Sequence, residues 1–340
     1  MSLDSIETHS VTGTPQAVFP AAIKWLEDGL SVTLATVIET WGTAPRPVGS
    51  LLAICQDGRF EGSVSGGCIE GAVIKESETV FENGKPRSMT FGVSDEQAWE
   101  VGLTCGGEIT VYLRKIPSAE YLKNIEAAIP TVVAIDLDTG EDWRMGESEF
   151  PSTLGVAAQN ALTDDKSGKV TDTPYFLQAL NPPLRMIVVG AVHITQALAP
   201  MATLAGFDVS VIDPRQAYAT PERFPDVRLL TDWPDEAMAK IKPDARTAVV
   251  LLCHDSKIDD PGLIAALKSD AYYIGALGSR RTQEKRRNRM FEEGFSEDDL
   301  ARIKGPVGLD LGGRSHAEIA VSILAEAIAM RYGKNLRGDG

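Results

Sequence analysis

Residues 184–213, LRMIVVGAVHITQALAPMATLAGFDVSVID, hold a short apolar run, a glycine, a helix-period stretch and a second apolar run. MIVVG and DVSVID are apolar along their whole length, the pattern of strands covered on both faces. HITQALAPMATLAG, between them, carries the 3.6-residue spacing of a helix. Further along, TAVVLLCHD (247–255) and AYYIGALGS (271–279) are again fully apolar strands, each followed by a helical segment. Strands alternating with helices in this way imply a parallel sheet. Residues 181–335 are therefore expected to form a Rossmann-like, doubly wound α/β domain.

That fold binds pyrophosphate where a strand delivers a glycine into a helix N-terminus, so that backbone N–H groups face the anion. Gly190 and His193 stand at this turn. Asp213 ends the next strand, twenty-three residues after Gly190, near the spacing of a carboxylate that grips a ribose. The G-x-G-x-x-G pattern is broken, with Val192 at the second glycine and Thr195 at the third. A branched side chain at 192 crowds a pyrophosphate, so the residues support the scaffold more strongly than a bound dinucleotide.

Upstream the grammar differs. SVTLATVIET (31–40) reads as a strand, and 50–65 as a hairpin turning at Asp57-Gly58. Residues 69–85 read as a helix stopped by Asn83-Gly84, and GGEITVYLRK (106–115) as another strand. Residues 15–115 are expected as a small α+β domain. Residues 116–180 are expected as a connecting segment with short strands, and NPPLR (181–185) marks the boundary.

Composition excludes several function classes. The net charge of −15 opposes binding to nucleic acid or to an anionic membrane surface. No apolar run approaches the roughly 18 residues of a membrane span, and the first ten residues lack the pattern of a signal peptide. A cytoplasmic protein is expected. Four cysteines without a CxxC spacing fit neither a disulfide framework nor a closed zinc site.

Against that acidic background, six of the ten residues after Ser279 are basic, beginning with Arg280 and Arg281. A solvated helix face accounts for 285–289. It accounts poorly for two arginines on a first turn, where cations oppose the helix dipole, and an anion there would relieve the conflict. Gly278 and Ser279 lead into that turn, Ser279 as its cap. Gly312 and Arg314 precede Ser315-His316-Ala317-Glu318, a capping box opening another helix. His193, His254 and His316 all fall at strand ends or helix starts, the edge where open α/β sheets hold ligands.

Two segments surround a thiol with glycines: SGGCIEG (65–71) and GLTCGGE (102–108). Glycine permits positive φ and close approach of the backbone to a ligand. Cys68 and Cys105 are read as functional, while Cys55 and Cys253 lie in strands and are read as structural. If the two loops meet, their sulfurs make a soft, glycine-lined pocket.

TLATVIETWGTAPRPVGS, GSVSGGCIEG, GLTCGG and YYIGALGSRRT, with PVGLDLGGRSHAEIAVSILAEAIA, together resemble the XdhC/CoxI family, the xanthine dehydrogenase accessory factors. The resemblance spans nearly the whole chain apart from about 120–175. It implies a cytoplasmic, often dimeric chaperone, not an enzyme. Such a protein binds molybdenum cofactor, assists its sulfuration with a cysteine desulfurase and delivers it to a molybdenum hydroxylase such as xanthine dehydrogenase. It implies that Cys68 and Cys105 face the cofactor, with Ser65, Gly66, Gly67 and Glu70 beside the first and Gly106 and Gly107 beside the second. In the Rossmann domain Gly190, His193 and Asp213 match the family's signature, and the residues themselves add His254, Gly278, Ser279, Arg280, Arg281, Gly312 and Arg314 as candidate contacts. A glycine-lined thiol site and an arginine-rich helix start suit the dithiolene and phosphate ends of molybdopterin. Trp41 stands where the family often carries arginine and His316 where it often carries proline. Two rivals stay open: an NAD(P)-dependent oxidoreductase on the same Rossmann scaffold, and a scaffold that docks a hydroxylase without touching its cofactor.

Overall fold

Between Pro182 and Pro183 the chain passes from one folded unit to another. The computed structural model describes residues 15–92, 107–334 and 336. Among them no helix is long and apolar enough to cross a membrane.

The first unit begins with helix α1 (Pro15–Glu27), whose Val18, Phe19, Ala22 and Trp25 turn inward. Strand β1 (Val32–Trp41) follows, buried from Val32 to Ile38 because its β-branched run is covered on both faces. It pairs antiparallel with β2 (Leu51–Cys55), which turns at Asp57-Gly58 into β3 (Phe60–Gly62). Gly58 takes φ 90°, a left-handed conformation that glycine adopts without steric cost. Helix α2 (Glu70–Asn83) stops where expected: Gly84, at φ 69°, donates its amide to the Val80 carbonyl. Strands β4 (Arg87–Phe91) and β5 (Glu108–Lys115) complete a five-stranded antiparallel sheet, ordered β3-β2-β1-β5-β4.

Residues 116–180, expected as a connecting segment, build a layer of their own. Helix α3 (Ala119–Ala127) leads into β6 (Thr131–Asp136) and β7 (Asp142–Arg144), then α4 (Gly155–Asp164), β8 (Gly168–Lys169) and β9 (Tyr175–Leu180). These strands form a four-stranded sheet in the order β7-β6-β9-β8. The two-residue period of β6 explains its place. Val133 and Ile135 join the core under α1, while Val132 and Ala134 face Leu154 and Ala158 around α4. A strand apolar on both faces is thus sandwiched, which composition alone does not announce.

The second unit is a parallel sheet of β10 (Leu184–Val189), β11 (Phe207–Ile212), β12 (Arg228–Leu230), β13 (Thr247–Leu251), β14 (Tyr273–Ala276) and β15 (Ile303–Lys304). Its order, β12-β11-β10-β13-β14-β15, is that of the Rossmann fold, and every neighbouring pair is parallel. Helices α5 (His193–Leu204) and α10 (His316–Arg331) supply Leu198 and Ile323 to the core that receives Met186 and Val188. Helices α6 (Pro234–Ile241) and α7 (Ser256–Leu267) supply Met238 and Leu263 to the opposite core, with Ile187 and Val189. Helices α8 (Arg280–Glu292) and α9 (Glu297–Ala301) precede β15. The expected Rossmann-like domain with an α+β domain before it is the observed architecture.

The basic face of α8 departs from expectation. Arg286 is 3% exposed, its guanidinium 3.4 Å from Asp259, which is 1% exposed on α7. Arg289 pairs with Asp260 at 2.6 Å, and Arg287 pairs with Glu297. Half of the run is therefore paired with carboxylates of α7 and α9, and Arg286 is buried in doing so.

Candidate functional site

In the first unit the glycine–cysteine loop Ser63–Glu70 closes on one carboxylate. Glu70 sits on the first turn of α2, buried, and accepts from Ser63 Oγ at 2.7 Å and from the amides of Ser65 and Gly67 at 2.9 Å. The Val64 amide at 3.2 Å and the Ser65 hydroxyl complete its set. Ser65 Oγ in turn accepts from the amides of Cys68 at 3.0 Å and Ile69 at 2.9 Å, and Ser63 Oγ from Gly66 at 2.8 Å. Burial pushes Glu70 up, but the hydroxyls of Ser65 and Ser63 and the amides outweigh it and hold the carboxyl at about 2. Gly66 and Gly67 take φ 76° and 113° and lie exposed, conformations their neighbours would resist.

Glu70 and Ser65, expected beside the cofactor, are thus turned inward as the frame of the loop. The amides of residues 64–69 are spent on that frame. Cys68 lies half-buried against the core at its rim. What the loop exposes is the surface of Gly66 and Gly67, with the half-buried Cys68 beside it.

The Trp41–Gly49 loop meets this loop and also Gly107. Arg46 Nε donates to the Ser63 carbonyl at 3.4 Å, and a Cβ on Gly66 would stand 3.9 Å from Pro45. A Cβ on Gly107 would fall 2.5 Å from the Thr43 carbonyl oxygen and 2.8 Å from that of Trp41, so only glycine fits there. The Trp41–Gly49 loop thus lies against the cysteine loop on one side and against Gly107 on the other. Trp41 itself is 72% exposed. Cys105 and Gly106 lie outside the described residues.

In the second unit the turn after β10 is built as expected but occupied by the protein itself. Gly190, at φ 111°, has no room for a Cβ, which would stand 2.9 Å from the Cys253 amide nitrogen. Its own amide donates to Ile212 O, and that of Ala191 to Asp213 Oδ2, both at 2.8 Å. Asp213 is fully buried and accepts Arg215 Nη2 at 2.7 Å and both Arg215 N and Nε at 2.9 Å. Burial raises the Asp213 pKa, but Arg215 and the amides outweigh it and leave the carboxyl below its ordinary range. The residue expected to hold a ribose therefore has both oxygens committed. Arg223 also binds the Ala191 carbonyl at 3.0 Å. Together with Val192, these contacts do not fit a dinucleotide. The basic residue two places after Asp213 was the signal in the sequence.

His193 is exposed and its ring stacks on that of His316 at 5.2 Å and 16°. Sequence reasoning placed both at helix starts without bringing them together. His254 is exposed at φ 63°, after β13. Among the described residues no group of three or more His, Cys, Asp or Glu is placed to hold a metal ion. Cys55 and Cys253 are buried, and burial pushes the Cys253 thiol up to about 11.

A third region lies at the carboxyl ends of β14 and β15, where Arg280 and Gly312 line a cavity of about 780 Å³. Gly278, at φ 136°, is buried beside Thr282, and Ser279 caps α8 by accepting the Thr282 amide at 3.3 Å. Arg281 and Arg314 are exposed. Ser315 and Glu318 form the expected capping box.

The XdhC and CoxI family model matches residues 25–92, and the XdhC Rossmann domain model matches residues 186–327. Among curated proteins the chain is similar to the molybdenum cofactor insertion chaperone PaoD of Escherichia coli K12. The two are 29% identical over 330 residues, covering 96% of this chain and 91% of that protein. It is also 27% identical over 323 residues to a protein of Bacillus subtilis 168 described as a probable subunit of xanthine dehydrogenase, covering 90% of this chain and 95% of that one. A solved protein described as a xanthine dehydrogenase from Bacillus halodurans shares the fold, with a TM-score of 0.73 at 23% identity over 94% of this chain and 97% of that one. With a model matched in each unit, this chain belongs to the XdhC and CoxI family.

Proposed function

We propose that this protein is an accessory chaperone, not an enzyme, that holds molybdenum cofactor and passes it to a molybdenum hydroxylase such as xanthine dehydrogenase. The name of PaoD, a molybdenum cofactor insertion chaperone, supports the class. The observation that carries the reading here is the cysteine loop. Its amides are spent on Ser63, Ser65 and Glu70, so the group it has left to give a ligand is the Cys68 thiol. A thiolate is a soft donor suited to molybdenum or to cofactor sulfur. Cys105, beside Gly106 and Gly107, is proposed as the second thiol.

A cytoplasmic site of action, a homodimer and a cysteine desulfurase partner belong to the same proposal. An NAD(P)-dependent oxidoreductase is not favoured, because Arg215 and the Ala191 amide hold the carboxylate such an enzyme would use.

The test is to isolate the protein, Cys68→Ala, Cys105→Ala and the double variant from cells making the cofactor, then to measure molybdenum and molybdopterin content. Near-stoichiometric content in the wild type and loss in the variants is expected. Equal content in all four would overturn the thiol assignment. Calorimetry with NADH showing tight binding would revive the oxidoreductase reading.

A further inference from the structure

We infer that the second unit carries its own small-molecule site in the cavity at the carboxyl ends of β14 and β15, and that this site takes a phosphorylated heteroaromatic ring. Ligands of open α/β sheets bind outside the carboxyl ends of the strands, usually at the switch point, which here lies between β10 and β13. That point is closed by the protein's own groups: the Gly190 and Ala191 amides are spent, and Arg215 covers Asp213. Two strands further along, the cavity measures about 780 Å³, within the range of ligand pockets.

The cavity is built rather than incidental. The loop that forms its wall follows β15 and is pinned where side chains cannot fit. A Cβ on Gly308 would stand 2.4 Å from Ser322 Oγ, and one on Gly313 2.6 Å from Glu318 Cβ. The Gly308 amide donates at 2.9 Å to Glu326, a 2% exposed carboxylate that also accepts the Tyr273 hydroxyl at 2.6 Å. Leu277, Val307 and Ile319 give the wall an apolar side suited to a flat ring. Arg280 is the one cation among the described lining residues, which also include the carboxylates of Asp310 and Glu318, and it has no ion-pair partner among the described residues. The Glu318 carboxylate is engaged by Ser315 and the Arg314 amide, at 2.9–3.0 Å. A phosphate on Arg280 with its ring against Ile319 matches charge to charge and apolar to apolar.

The ring and phosphate are shared by a nucleoside monophosphate and by a phosphorylated pterin. The pterin source rests on the carrier reading; the nucleotide source does not. Calorimetry of the full chain with adenosine 5′-monophosphate and, separately, with a pterin phosphate monoester distinguishes them. Binding of either supports the site and names its source. In Arg280→Ala the affinity is expected to fall roughly ten- to a hundred-fold. In Ile319→Trp, which fills the cavity, binding is expected to vanish, with the fold checked by circular dichroism. Lys285→Ala removes a charge from the same helix and should leave affinity unchanged. Neither probe carries molybdenum or a dithiolene sulfur, so binding of either reads this site separately from the thiol reading. No binding of either probe at about 1 mM, or equal binding in Arg280→Ala and Ile319→Trp, overturns the inference.

Discussion

At the scale of single residues, the informative groups are charges buried with their partners. Glu70 organises the cysteine loop through two hydroxyls and three amides. An amide in its place cannot accept them all, so Glu70→Gln is expected to cost about 2 kcal/mol in urea unfolding at pH 7. It should also change the rate at which iodoacetamide alkylates Cys68, with Glu70→Asp intermediate. An unchanged alkylation rate would mean that Glu70 stabilises the loop without placing the sulfur. Asp213 has a different dependence: without Arg215 its charge stays fully buried. Arg215→Ala is therefore expected to destabilise by about 3 kcal/mol, measured the same way. Neither role was readable from residue type. The sequence placed Glu70 and Asp213 among ligand-facing groups, because a carboxylate beside a glycine turn looks the same whether its oxygens point outward or are already bound.

At the scale of elements, helix α8 illustrates how a charge run is divided. Arg286 is buried against Asp259, and burial pushes that carboxyl up to about 6, with Arg286 opposing. Arg286→Met leaves an uncompensated buried carboxylate and is expected to lower stability by about 3–5 kcal/mol. Pairing it with Asp259→Leu should recover much of that loss, since it removes the charge as well. The β10–α5 turn makes the converse point about backbone. Gly190→Ala puts a methyl 2.9 Å from the Cys253 amide at a φ of 111°, and a cost of about 2 kcal/mol or more is expected. Differential scanning calorimetry checks both. The glycine was legible from its place between strand and helix. The split of the arginines was not, because it depends on where α7 brings Asp259 and Asp260.

At the scale of the whole molecule, the two units should respond oppositely to acid. Glu70 is held at about 2 from an ordinary 4.5, so its contribution is present above 4.5 and is lost as pH falls through that value towards 2. Asp259 is raised from an ordinary 3.8 to about 6, so its penalty is present above 6 and is relieved as pH falls towards 3.8. Hydrogen exchange between pH 4 and 6 should therefore show amides around Asp259 gaining protection with acid. Those around Glu70 should begin to lose it only near the lower limit. The same slope in both units would show that other groups dominate. The net charge of −15 makes a further expectation at this scale: the protein should pass through a heparin column at low salt.

The sequence by itself determined the Rossmann architecture, the strand and turn plan of residues 31–85, both predicted helix caps and the family. Each of these is written in local order: periodicity, a glycine where φ must be positive, a hydroxyl where a helix begins. The second sheet, the Trp41–Gly49 loop lying between Gly66 and Gly107, the closing of Asp213 by Arg215, the His193–His316 stack and the cavity beside β15 were decided only by the tertiary structure. They depend on which groups a fold brings into contact, and that proximity joins segments whose order along the chain carries no record of it.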